Sequence, residues 1–262
     1  MALKINFNFA AKCSLDCEFC YVDFNGSRID EERCAAIFDR IATLNPSKIT
    51  IAGGDPFNYR FLTRLIEIAF NACRNVHVDT NAHGLKETHL SLLKEKVKLV
   101  GLPLDGSNAA MHGKMRGRAD HFDLIVKWIS ILRDYGITIK INTVISNLNK
   151  EDVHKIGKLI ETGPIAQWSL FQFWPMEAGK RNEATYSIAE DEVMEVINHI
   201  RQLYPALPVR SGTIEERKGG YLFVNHDGNV STVNPKNHSI YANIGSIFED
   251  DIISKWATLN CA

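Results

Sequence analysis

Short β-like runs alternate with helical patterns along most of this chain, and that alternation limits its fold more than any other feature. The strand candidates are Leu3–Phe9, Lys48–Ala52, Asn75–Asp79, Leu99–Leu104, Thr138–Val144 and Gln167–Phe173. Between them the apolar period becomes helical over Glu31–Leu44, Arg60–Asn71, Lys86–Lys94, Phe122–Tyr135 and Glu151–Glu161, and a sixth helix, Ala189–Tyr204, follows the last strand. In Phe122–Tyr135, the residues Leu124, Trp128, Ile131, Leu132 and Tyr135 make one apolar face. Repeated βα units predict an α/β fold with a parallel sheet, and six of them predict a partial (β/α)6 TIM-like barrel over residues 1–206. The pattern changes after about Leu207. There Tyr221–Asn225 and Asn229–Val233 flank His226-Asp227-Gly228, a hairpin signal. Residues 207–262 therefore read as a C-terminal extension covering the open barrel, not a second domain.

The length of 262 residues is ample for a sizeable core. A formal net charge of −1 gives no bulk basic field for nucleic acid or an anionic membrane. No apolar run is long enough to span a bilayer, and the N-terminus starts directly with the alternating strand instead of a signal-peptide core. Of the six cysteines, Cys34 and Cys73 sit among Ala, Ile and Phe at helical spacing and read as core, and Cys261 reads as a free thiol. The chain is too large and its cysteines too clustered for a disulfide scaffold, so a reducing cytoplasm is the expected compartment.

The remaining three, Cys13, Cys17 and Cys20, follow the first strand as Cys-x3-Cys-x2-Cys. Three thiolates can hold three irons of a 4Fe–4S cubane and leave the fourth iron open to a small molecule. A structural zinc knuckle wants four ligands, and no fourth is local: His77 and His83 lie far along the chain and Cys34 falls within a helix. Three ordinary buried thiols are the remaining reading, and three within eight residues of one loop argue against it. Ligands of α/β folds bind at the carboxyl ends of the strands, and most of the polar motifs fall just there.

The cysteine run, Gly53-Gly54-Asp55-Pro56 after the second strand, Asp79-Thr80-Asn81 after the third, and Leu104-Asp105-Gly106-Ser107 with His112, Arg116 and Gly117 after the fourth together resemble the radical S-adenosylmethionine (SAM) enzymes. The resemblance implies that SAM chelates the open iron and is cleaved reductively to a 5′-deoxyadenosyl radical, which takes a hydrogen from substrate. It also implies site residues. Phe19 and Tyr21 flank the adenine, with Phe19 also suited to packing. Gly53, Gly54 and Asp55 meet the SAM ammonium, where Asp55 stands in place of the usual Glu. Thr80 and Asn81 meet the ribose and carboxylate, with Ala82 replacing the usual Gly. Arg116 pairs with the SAM carboxylate, as a guanidinium fork suits a carboxylate. His112 supports this loop.

Further stretches are similar to viperin and its prokaryotic relatives: Phe7-Asn8-Phe9 before the cysteines, Lys140 to Ile145 with Asn149, Trp168 to Gln172, and Ser211 to Val224, in which Tyr221 aligns with a tyrosine of the pocket. Lys140 and Asn142 share one face of the fifth strand. The resemblance implies Asn142 and Gln172 near SAM, and Asp105, Lys140 and Tyr221 near a nucleoside triphosphate that is dehydrated. It also implies a flavodoxin or ferredoxin as electron donor. The phosphate-binding lysine expected after Cys20 is missing, and Arg28 stands in that stretch. Peptide modification, cofactor maturation, sugar decarboxylation and a non-catalytic Fe–S carrier or sensor are the alternatives. The glycine pair and Arg116 argue against a carrier, which has no use for a SAM pocket.

Overall fold

The computed structural model describes residues 2–22 and 28–260, and Cys261 lies outside them. In chain order the first elements are β1 (Lys4–Ala10), α1 (Glu31–Thr43), β2 (Lys48–Gly53), α2 (Leu62–Ala72), β3 (Val76–Asp79), α3 (Leu90–Lys96), β4 (Leu99–Pro103), α4 (Ala109–Arg116), α5 (His121–Asp134) and β5 (Ile139–Ile145). There follow α6 (Val153–Ile160), β6 (Gln167–Gln172), α7 (Glu183–Tyr186), α8 (Glu190–Leu203), β7 (Val209–Gly212), α9 (Ile214–Arg217), β8 (Leu222–Asn225), β9 (Asn229–Val233), β10 (Tyr241–Ser246) and α10 (Ile252–Asn260). All twelve regular elements expected before residue 207 are present, with their ends shifted by a few residues. A 3-10 turn, Glu87–His89, takes the front of the third helix.

The chain divides into two compact units. The first comprises Met1–Ser14, Phe24–Lys98 and Lys218–Ala262. Its strands run in the order β10-β9-β8-β1-β2-β3. β1 pairs in parallel with both β2 and β8, and the β8–β9–β10 meander is antiparallel. The period-2 pattern of β1 separates two faces. Ile5, Phe7 and Phe9 are fully buried with Ile49 and Ile51 of β2, and Phe7 meets Phe38 of α1 edge-on at 4.7 Å. Each such side chain contributes roughly 1.5–3 kcal/mol by leaving water. The opposite face aligns Lys4, Asn6 and Asn8 with Lys48, Thr50 and Ala52.

The second unit comprises Leu15–Asp23 and Leu99–Arg217. Its strands β4-β5-β6-β7 are all parallel. Val100, Leu102, Ile141, Trp168 and Leu170 form its strand core, and α5, α6 and α8 each bury an apolar stripe. The indole N–H of Trp168 donates to Thr143 Oγ1 at 2.9 Å, and that hydroxyl donates to Leu104 O at 2.6 Å, so both of these buried side chains are satisfied. Residues 207–262 are shared: β7 and α9 group with the second unit, and β8 onward with the first.

Candidate active site

In the first unit the site is built where β1, β2 and β3 end. Backbone ties pin the exit of β1 to the turn after β2: Gly54 N–H donates to Ala10 O at 2.6 Å and Asp55 N–H to Lys12 O at 2.9 Å. Gly53 sits at φ +119°, and a Cβ there would lie 2.7 Å from the backbone N and O of Ala10, so only glycine permits this approach. Asp55 is fully buried. Its Oδ1 accepts from Phe57 N–H at 2.9 Å and from the Thr80 hydroxyl at 2.9 Å, while Oδ2 has no hydrogen-bond partner among the described residues. Burial pushes this carboxyl above the usual carboxylate range, against the opposing pull of the Phe57 N–H, the Thr80 hydroxyl and the nearby Asn81 backbone N–H. Asn81 Nδ2 lies 3.2 Å from Cys13 Sγ and 3.2 Å from Ser14 Oγ.

In the second unit the Cys17–Cys20 turn is closed by Cys20 N–H donating to Cys17 O at 2.9 Å. Arg116 ends α4, and its Nη1 is 3.8 Å from Cys17 Sγ. Its guanidinium also lies 4.9 Å over the Phe19 ring. None of the three cysteines is in a disulfide, and each is half-buried. No three His, Cys, Asp or Glu side chains among the described residues converge on a single ion, which a cubane does not require, since each thiolate holds its own iron. Amide and guanidinium N–H groups aimed at sulfur are the kind of contact that tunes such a cluster. Within the first unit, Cys13 with the Asn81 amide and the open Asp55 oxygen have the chemistry that a 4Fe–4S cluster and the SAM ammonium take; within the second, Cys17 and Cys20 with the Arg116 guanidinium have that of the same groups.

Other residues around the site are held by the protein itself. Asp105 is fully buried and faces inward: Oδ2 takes Arg116 Nε at 2.5 Å and Oδ1 takes Val144 N–H at 2.7 Å, so both oxygens are already used. Gln172 shares a face of β6 with the buried Trp168 and Leu170. Its amide donates to Ile188 O at 3.0 Å and its Oε1 accepts from Ile214 N–H at 2.9 Å, so it holds backbone instead of reaching a ligand. Phe19 is 8% exposed and packs on Tyr186, whereas Tyr21 is 36% exposed. Asn149 is buried and ties Asp105 O and Val144 O together. His112 takes Asp105 N–H on Nδ1 at 3.1 Å, which supports the loop as expected.

Lys140 and Asn142 share a face of β5 opposite the buried Ile141 and Thr143. Lys140 is near the amino end of the strand and 8% exposed. Tyr221 also stands at the amino ends of its strands, just before β8, away from the β1–β3 exits. Lys48 Nζ donates to its hydroxyl at 3.1 Å, and Lys48 and Lys4 lie 4.8 and 5.8 Å from its ring centroid. Neither lysine has a carboxylate partner among the described residues. Sequence reading passed over both, although each opens a strand of the same sheet face.

A family model described as "Radical SAM superfamily" matches residues 7–160. A curated relative, S-adenosylmethionine-dependent nucleotide dehydratase of Lacinutrix mariniflava, is 24% identical over 86% of this chain and 49% of its own length. Another of that name, from Flammeovirga pacifica, is 25% identical over 74% of this chain and 71% of its own. The antilisterial bacteriocin subtilosin biosynthesis protein AlbA of Bacillus subtilis is 23% identical over 79% and 49%. The chain thus spans about half the length of two of these relatives. Among solved structures, Streptococcus suis SuiB bound to S-adenosylmethionine superposes with a TM-score of 0.76 at 13% identity, covering 98% of this chain and 66% of that one. That likeness shows the fold, an α/β partial barrel. The family's cofactors are a 4Fe–4S cluster and SAM. Matched to the family model across more than half of its length, the chain belongs to the radical SAM superfamily of enzymes.

Proposed function

We propose that this chain is a viperin-like nucleotide dehydratase, with Cys13, Cys17 and Cys20 as cluster ligands and a nucleoside triphosphate as substrate. The observation that carries the SAM site is Asp55 Oδ2, a buried acceptor with no hydrogen-bond partner among the described residues, on a turn tied to the strand exit that leads into Cys13. When bound, the cluster and SAM supply reductive cleavage of the sulfonium and a hydrogen-abstracting radical. The protein's part is to orient and to exclude water. Asp55 with Gly53 and Gly54 receives the ammonium, Asn81 steadies the Cys13 side, and Thr80 fixes Asp55 in place. Tyr21 lies along the adenine, and the guanidinium edge of Arg116 not spent on Asp105 serves the SAM carboxylate. Within the first unit Lys4, Lys48 and Tyr221 are the candidates to meet an anionic substrate; within the second it is Lys140, with Asn142 on its face. A reducing cytoplasm with a flavodoxin or ferredoxin donor completes the reading.

Anaerobically reconstituted protein with dithionite and SAM should release 5′-deoxyadenosine, and Cys17→Ala should abolish it. CTP, UTP and GTP should be compared for stimulated cleavage. If none stimulates, the nucleotide substrate is lost and a peptide substrate is tested next. Full turnover by Cys17→Ala would remove the cluster assignment itself.

A further inference from the structure

Residues 15–22 belong to the second unit although the chain reaches them from β1, so something in that unit must hold them. The stretch from Glu177 to Tyr186, a 3-10 turn running into α7, contacts them at three points. Asn182 Nδ2 donates to Glu18 O at 2.8 Å. The Tyr186 hydroxyl donates to Glu18 Oε2 at 3.3 Å, and its ring packs on Phe19 at 5.9 Å. Gly179 comes so close that a Cβ there would lie 2.9 Å from Phe19 O and 3.3 Å from Cys20 O. Phe19, Tyr186, Phe173 and Met115 form one buried cluster, and Cys17 packs against it. Glu177 opens the stretch at φ +43°, a left-handed conformation that a residue with a side chain keeps only where its surroundings impose it.

We propose that Glu177–Tyr186 is a brace that fixes the Cys17–Cys20 turn before any cluster is inserted, with Gly179, Asn182 and Tyr186 as its positioning residues. The brace rests on the reading of Cys17 and Cys20 as cluster ligands. Its logic is that of groups behind metal ligands generally: they touch no metal, yet they set where the ligands stand and how long the metal stays. Gly179 supplies room for the two carbonyls, Asn182 a donor to the turn, and Tyr186 the wall behind Phe19.

The test uses the full chain in two states. In the apoprotein, hydrogen exchange is followed at the Cys20 amide, whose N–H is bonded to Cys17 O. In the reconstituted protein, iron loss to a chelator and the EPR signal of the reduced cluster without SAM are recorded. Asn182→Ala should speed iron loss about 10-fold, broaden the EPR signal and speed Cys20 exchange, with the melting temperature unchanged. Asn182→Asp, which keeps the shape but cannot donate, should behave like Asn182→Ala. Gly179→Ala should lose iron faster still. Unchanged exchange and iron retention in the Asn182 variants would overturn the brace, even if Gly179→Ala fails to fold. A wild-type chain that takes up no iron would instead defeat the cluster reading, and the apoprotein exchange would still decide whether the stretch holds the turn.

Discussion

Arg116 Nε donates to the fully buried Asp105 Oδ2 at 2.5 Å, joining the end of α4 to the carboxyl end of β4. The carboxylate is also held by Val144 N–H, so it acts as an internal counter-charge. Taking one charge from a buried pair leaves the other desolvated and uncompensated, at a cost of about 3–5 kcal/mol. Asp105→Asn should therefore destabilise the apoprotein by about that amount in urea unfolding. Asp105→Asn combined with Arg116→Met should cost clearly less than the sum of the singles. Additive losses would mean that the pair is not coupled.

Asp55→Asn separates stability from binding. Because burial raises the folded carboxyl above its unfolded value, the folded state holds its proton more tightly. Stability then falls as pH rises from the ordinary carboxylate range through the raised value. Asparagine removes that slope, so the variant apoprotein should be more stable than wild type at pH 8. It should also bind SAM about 10-fold or more weakly, since a hydrogen bond to a charged group is worth roughly 1.5–3 kcal/mol. Unfolding at two pH values and calorimetric titration with SAM measure the two effects.

Much of this site was legible because βα periodicity fixes where strands end, and Cys13, Gly53, Asp55 and Asn81 follow those ends directly. What periodicity does not give is which polar atoms a loop spends on itself. Asp105 and Gln172 sit beside the right strands, but their oxygens are taken by Val144 N–H and Ile214 N–H, contacts across 39 and 42 residues of sequence. Helix α4 was missed because its buried face has only His112 and Met115. β7 was missed because four residues reading Val-Arg-Ser-Gly carry too little alternation. Lys48 was missed because a lysine at a strand start reads as solvated until Tyr221 is seen beside it.

His112 should set part of the acid limit. Burial, with the Arg116 and His121 charges adding to it, pushes the imidazole down to about 2. It faces Asp105 N–H, His121 and Arg116, and Nδ1 accepts from Asp105 N–H. Nε2 therefore carries the proton and donates to His121 Nδ1 at 2.8 Å. The unfolded chain takes up a proton near the ordinary histidine value and the folded chain does not, so stability is present above about pH 6.5 and lost below it. The slope should be about 1.4 kcal/mol per pH unit. His112→Asn should flatten the acid arm by one proton while lowering stability at pH 7. An unchanged slope would assign that arm to other groups.

Lys48 and Tyr221 give the sharpest test of an anionic substrate. Lys48 Nζ reaches the Tyr221 hydroxyl at 3.1 Å and the ring at 4.8 Å, with no carboxylate partner among the described residues, so the phenol holds the amine in place without neutralising it. A lysine used only for packing would be replaceable by methionine, which keeps the stem. If the charge meets substrate phosphate in ground and transition states alike, Lys48→Met should raise KM about 10-fold or more and leave kcat near wild type. Tyr221→Phe keeps the ring under both lysines and loses only the hydroxyl, so its KM effect should be several-fold smaller. Lys140→Ala should raise KM in the same sense. Equal KM in wild type and Lys48→Met, with intact 5′-deoxyadenosine release, would place the substrate's anion elsewhere on the sheet.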